Sequence, residues 1–413
     1  MNAPRSFSLL TLVILTVLAV QACVPITNIT ATATIAPEIT TPAEPPSPNP
    51  TQASPTSFTV PTQPSTITPT AEVVTEMVLN GQLAYIFEGN VWRYILATGE
   101  SIQVTTQVWD GHYTNYFDPQ FSPDGRYLAY SKHPDNRSYI SDLVDGTVIE
   151  ITSYGEFFGW TGHGNDFFAG ISKEKWVTDQ MVNTFKFYRY DLANLDSPEF
   201  LASLSEQRRS PLSISSDGQW ASLNMDRGCP YPECRFDKLW NLSTAKEITP
   251  PADFTAGHID FSPDSKKLAL SARYSDWYKE SPLFVANIDM SALTPIVTQP
   301  QTRAEYVFWS PDGQWLAYQA IEFDSSNVMS DGQYVIERRV MLVRPDGSDL
   351  TRVAGESANL VGWSPDGSHL LYWQYRSEPP IFTVYEIKTG LKQALPLIVN
   401  GPRSEVHDWG NLQ

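Results

Sequence analysis

Six histidines, three cysteines and a recurring Ser-Pro-Asp-Gly string are the residues of this chain whose types and spacing could carry chemistry. The histidines stand at 112, 133, 163, 258, 369 and 407. None falls into a His-Glu-x-x-His helix or a closely spaced ligand pair, so no metal motif, cofactor or catalytic residue is nominated locally. His112, His258 and His407 lie near the starts of related strands; convergence at one mouth of a ring would make them acid/base groups or metal ligands of a hydrolase or lyase. Cys229 and Cys234 bound the string Cys-Pro-Tyr-Pro-Glu-Cys. Outside the cytoplasm a disulfide is the default state. Metal ligation lacks a second Cys or His pair nearby, and redox-active pairs are separated by two residues rather than four. Gly362-Trp363-Ser364-Pro365-Asp366 superficially suggests a nucleophilic serine, but it is one copy of a repeat and reads as structure.

That repeat defines the elements that must position these groups. An aromatic-ended strand, Ser-Pro-Asp-Gly and an apolar strand occur at 121–130, 309–318 and 363–372. Ser265 replaces the glycine at 261–270, Ser216 replaces the proline at 214–223, and 160–169 keeps only the aromatic and an Asn-Asp turn. The aspartates at 124, 166, 217, 264, 312 and 366 are 42 to 54 residues apart, the length of a propeller blade. Proline presets the first turn angle, aspartate bonds its own backbone, and glycine accepts the positive φ that closes a hairpin. A second hairpin turn follows at Thr98-Gly99, Asp145-Gly146, Asp346-Gly347 or Thr389-Gly390, giving four strands per unit.

These motifs resemble the WD40-like repeats of TolB-like β-propellers, and the resemblance runs from Asn80 to Gln413. It implies an all-β ring and leaves function open, because such repeats also occur in binding lipoproteins, in the propellers of prolyl peptidases and in polysaccharide lyases. No helix-rich segment is expected that could supply the α/β-hydrolase domain of a prolyl peptidase. The first unit, 83–105, lacks a motif strand, and 405–410 reads as a motif strand with nothing after it. Pairing the two closes the ring without a free edge and predicts a seven-bladed propeller of four-stranded blades. Six blades are the alternative, should the unit near Trp160 not form one.

Ahead of the ring, residues 1–22 carry Arg5 and an apolar run from Phe7 to Val20, which reads as a signal peptide. Val20-Gln21-Ala22-Cys23 resembles a bacterial lipobox, which would make Cys23 the lipid-attachment residue; an ordinary secretory signal is the alternative. Residues 23–78 are Thr/Pro-rich without Lys or Arg, cannot bury a core, and are expected to form a disordered stalk. In polyproline geometry that length spans up to roughly 170 Å at about 3.1 Å per residue. The propeller is assigned to 79–413.

A formal charge of -18 argues against nucleic acid as a partner, since phosphate recognition depends on clustered Lys and Arg. The connections between second and third strands are long at 172–184, 226–237, 273–281, 321–335 and 375–380, and they share one rim. Long segments on a rigid scaffold concentrate binding residues. They carry Trp176, Tyr231, Trp277, Tyr278, Phe323, Tyr375 and Arg376, a set suited to a protein, peptide or glycan surface. The expectation is a monomeric binding or scaffold lipoprotein on the outer side of a bacterial membrane. A surface polysaccharide hydrolase or lyase and a purely structural envelope module are the alternatives.

Overall fold

The computed structural model describes residues 77–106, 115–133, 137–152, 155–162, 164–177, 180–206, 210–224, 237–248, 256–272, 280–329, 332–355, 357–374, 379–397, 399 and 406–412. The first blade contains Gln82–Phe87 (β1), Asn90–Ile95 (β2) and Glu100–Gln103 (β3). Blade two is Asn115–Phe121 (β4), Tyr127–His133 (β5), Arg137–Asp142 (β6) and Val148–Thr152 (β7). Blade three is Gly155–Trp160 (β8), Asp166–Val177 (β9), Gln180–Asp191 (β10) and Asn194–Glu206 (β11). Blade four is Ser210–Ile214 (β12), Trp220–Asn224 (β13), Asp237–Asn241 (β14) and Lys246–Ile248 (β15). Blade five is Ala256–Phe261 (β16), Lys267–Ala272 (β17), Leu283–Asn287 (β18) and Thr294–Val297 (β19). Blade six is Thr302–Trp309 (β20), Leu316–Met329 (β21), Gly332–Val343 (β22) and Thr351–Ala354 (β23). Blade seven is Ala358–Trp363 (β24), His369–Gln374 (β25), Ile381–Glu386 (β26) and Lys392–Ala394 (β27).

The last strand, Val406–Gly410 (β28), completes blade one in the order β28-β1-β2-β3, with Leu83 opposite Trp409 and Gln82 opposite Gly410. The protein is therefore a seven-bladed β-propeller of four-stranded antiparallel sheets, closed by its C-terminal strand. The weakly marked unit at Trp160 is a full blade, which removes the six-bladed alternative.

The Ser-Pro-Asp-Gly turns form because each side chain satisfies a backbone group. In blade six the Ser310 hydroxyl donates to Asp312 Oδ1 at 2.6 Å and accepts the Trp315 N–H at 2.9 Å, while Asp312 Oδ1 accepts the Gln314 N–H at 3.0 Å. The same three bonds recur around Ser122, Ser215, Ser262 and Ser364, and all five serines are buried. The hydroxyl hydrogen bond from Ser262 leads the effects that hold Asp264 below its ordinary carboxyl value. Ser265 occupies the glycine position at φ 55°, and its hydroxyl accepts the Asp217 N–H of the neighbouring blade at 3.2 Å.

Hydrophobic burial is spread over the seams between blades rather than held in one central core. Ala84, Ile86 and Val91 of blade one pack with Phe121, Leu128 and Tyr130 of blade two. Leu371, Phe382 and Val384 of blade seven pack with Leu83, Tyr94 and Trp409 across the closure. At about 1.5–3 kcal/mol per fully buried large side chain, these seams are the main cohesion of the ring. Met77 already belongs to the last of these: its side chain packs on that cluster and its N–H donates to Gln393 Oε1 at 2.9 Å.

Two of the long connections differ from the expected loops. Most of 172–184 extends the β9–β10 ladder, and most of 321–335 extends β21–β22, so both project as two-stranded hairpins. Ladder pairing satisfies backbone groups that an open loop would leave to water.

Candidate functional site

The innermost strand of every blade carries a register irregularity two to four residues before its motif aromatic or the equivalent residue. Such bulges bend a strand and redirect its side chains. In blades two and six the irregularity places Asp118 at φ 50° and Tyr306 at φ 45°, a region that non-glycine residues rarely occupy. Both residues reach back to a histidine of the preceding blade. Tyr306 packs edge-on against His258 at 5.9 Å between ring centroids, and Asp118 Oδ1 lies 3.9 Å from His407 Nδ1.

Next to these histidines are two half-buried carboxyls. Asp260 Oδ2 accepts the Trp309 N–H at 2.7 Å, and Asp408 Oδ2 accepts the Phe121 N–H at 2.7 Å. Each aspartate thus ties its own inner strand to that of the next blade, bonding the residue three positions after Tyr306 or Asp118 respectively. Desolvation dominates both groups and outweighs the backbone N–H bonds, pushing Asp260 up to about 7 and Asp408 up to about 6. The two aspartates line one cavity of about 220 Å³ formed by the inner strands of blades five, six, seven and one. Phe308, Trp309, Trp363 and Trp409 supply aromatic walls, and Gly362 and His407 also line it. A Cβ on Gly362 would meet no atom within 4 Å, so this glycine faces open space.

Of the three histidines expected at the channel mouth, His258 and His407 are described, and they stand on blades five and one. His258 packs against Tyr306 and Phe308, and burial pushes it down to about 4, so it is neutral at physiological pH. His407 sits on the cavity wall on a different blade. No group of three or more His, Cys, Asp or Glu arranged to hold a metal ion occurs among the described residues. His112, Cys23, Cys229, Cys234, Tyr231, Trp277, Tyr278, Tyr375 and Arg376 lie outside the described residues. Trp176 belongs to the β9–β10 hairpin, opposite Met181.

Phe323 corrects an expectation. It is only 4% exposed, and its N–H donates to Gln301 O at 3.0 Å, because the ladder folds this part of the connection onto the blade. It is not a rim contact. Asp260 and Asp408 were not singled out by the sequence, although each stands directly before a motif aromatic, a place where an acid interrupts an otherwise apolar pattern.

No family model matches the sequence, and no curated protein matches it. Solved structures share its fold. A prolyl endopeptidase is similar at a TM-score of 0.55 and 13% identity, covering 77% of this chain and 49% of that one. The oligogalacturonate lyase of Vibrio parahaemolyticus is similar at 0.52 and 12% identity, covering 73% and 84%. TolB from Acinetobacter baumannii gives 0.40 at 17% identity, covering 65% of this chain and 62% of that one. The likeness to the first two agrees with the propeller fold and, at these identities, establishes no activity.

Proposed function

We propose that this chain is an extracytoplasmic, lipid-anchored binding or scaffold module that engages a protein, peptide or glycan partner through the rim carrying the long second-to-third connections. The observation behind this reading is a polarity of the ring. The described N-terminal residues join the rim of the Ser-Pro-Asp-Gly turns: Asn80 O accepts the Trp409 indole N–H at 3.2 Å, Gln82 Nε2 donates to Gly125 O at 2.9 Å, and Asn411 Nδ2 donates to Pro123 O at 2.7 Å. In an antiparallel meander the second-to-third connections emerge on the opposite rim, and there the β9–β10 and β21–β22 hairpins project. Cys23 and the Thr/Pro stalk would supply the tether, and the projecting rim the contact with a partner.

The test removes residues 175–182 and 325–333, each replaced by an Asn-Gly turn, and compares cross-linked capture from envelope extract with that of the unaltered chain. Loss of capture with an unchanged unfolding transition supports this rim. Full capture by the shortened protein overturns the assignment.

A further inference from the structure

The cavity between blades five, six, seven and one combines features that the ring itself does not require. Asp260 and Asp408 form no ion pair among the described residues, and neither Lys nor Arg lines the cavity; its titratable groups are these two carboxyls and His407. Carboxylates drawn out of water are ordinarily paired with a cation, and these two half-buried groups are instead held toward their neutral form by desolvation. Around them stand Phe308, Trp309, Trp363 and Trp409, rings whose faces attract positive charge. Two of the tryptophans are fixed by their indole N–H groups: Trp363 donates to Phe308 O at 3.3 Å and Trp409 to Asn80 O at 3.2 Å. Gly362 leaves open space where any other residue would place a side chain. A volume of about 220 Å³ corresponds to roughly seven waters at about 30 Å³ each, room for a short alkyl chain with a charged head.

We propose that this cavity binds an organic cation, the alkylammonium or guanidinium group of a free amine or of a Lys or Arg side chain, with Asp260 and Asp408 as counter-charges and the tryptophans as walls. The positive charge replaces the missing ion-pair partner. Binding favours the ionised carboxyls and therefore releases protons near neutral pH, so affinity rises as pH increases through the range in which these two groups titrate. The site is independent of the hairpin rim.

The full chain is titrated with butylammonium, butylguanidinium, neutral butanol, Gly-Lys-Gly and Gly-Glu-Gly, read by tryptophan fluorescence and calorimetry. The cations and the lysyl peptide bind and release protons, while butanol and the glutamyl peptide do not. Asp260→Asn and Asp408→Asn each weaken the cations about tenfold or more, a change of about 1.4 kcal/mol or more. An amide oxygen can still accept the same backbone N–H, so both variants keep the seam bond. Gly362→Leu fills the space with both carboxyls retained and also abolishes binding. Tighter binding of Gly-Lys-Gly than of butylammonium assigns the site to a peptide side chain, and the reverse order assigns it to a free amine. The proposal is overturned if neither cation binds, if butanol binds equally well, or if Gly362→Leu binds unchanged.

Discussion

The Asp408 carboxylate accepts the backbone N–H of Phe121 at 2.7 Å, joining the strand that closes the ring to the inner strand of the second blade, 287 positions earlier in sequence. The bond sits beside the closing Trp409. Asp260 makes the equivalent bond to Trp309 at the seam between blades five and six, so the same device appears at two separated places in the ring.

Replacing Asp408 by Ala strands the Phe121 N–H and is expected to cost about 1–3 kcal/mol, whereas Asn, which keeps an acceptor, costs much less. Denaturant unfolding measures the difference, and hydrogen exchange at Phe121 locates it. Equal stability of the two variants would mean that the bond contributes nothing to closure.

The raised carboxyls set a direction for pH dependence. Asp260 at about 7 and Asp408 at about 6 both stand above the unfolded value, so the native state holds protons that the unfolded chain has already released. The stability they contribute is complete below the unfolded carboxyl value and is lost as pH rises through about 6 to 7. Relative to the Asp260→Asn, Asp408→Asn double variant, the wild type should lose up to a few kcal/mol between pH 4 and pH 8, at about 1.4 kcal/mol for each tenfold difference in proton affinity between the folded and unfolded chain. Parallel stability curves for the two proteins would contradict the desolvation of these groups.

Ser310 is fully buried and satisfies both Asp312 and the Trp315 N–H. Ser310→Ala should destabilise by about 1–3 kcal/mol through the stranded backbone donor, with the loss visible as a lowered denaturation midpoint at unchanged slope.

Trp409 packs in the closing seam at 5% exposure and donates to Asn80 O. Trp409→Ala should cost about 3–5 kcal/mol. Limited proteolysis near the C-terminus before global unfolding would mark the closure as the seam that opens; cleavage elsewhere first would place the weakest seam at another blade.

The proposed lipid anchor at Cys23 is tested by metabolic labelling with a fatty acid. Incorporation into the wild type and its loss in Cys23→Ser is the expected pair of results, and alkylation of Cys229 and Cys234 only after reduction is the expected state of that pair.

What the sequence determined by itself was the chemistry that acts over a few residues. Pro, Asp and Gly specify a turn through torsion angles and bonds to their immediate neighbours, so Ser-Pro-Asp-Gly at blade spacing yielded the repeat and the missing strand that 405–410 supplies, while the unit at Trp160, which lacks the motif, was decided as a blade only by the structure. The tertiary structure decided what depends on residues far apart in the chain. Phe323 is covered because its ladder folds onto blade six, the Asp118 and Tyr306 bulges meet histidines of the preceding blade, and Asp260 and Asp408 share one cavity only because ring closure brings four inner strands together. Desolvation is a property of everything surrounding a group, and no local pattern encodes it.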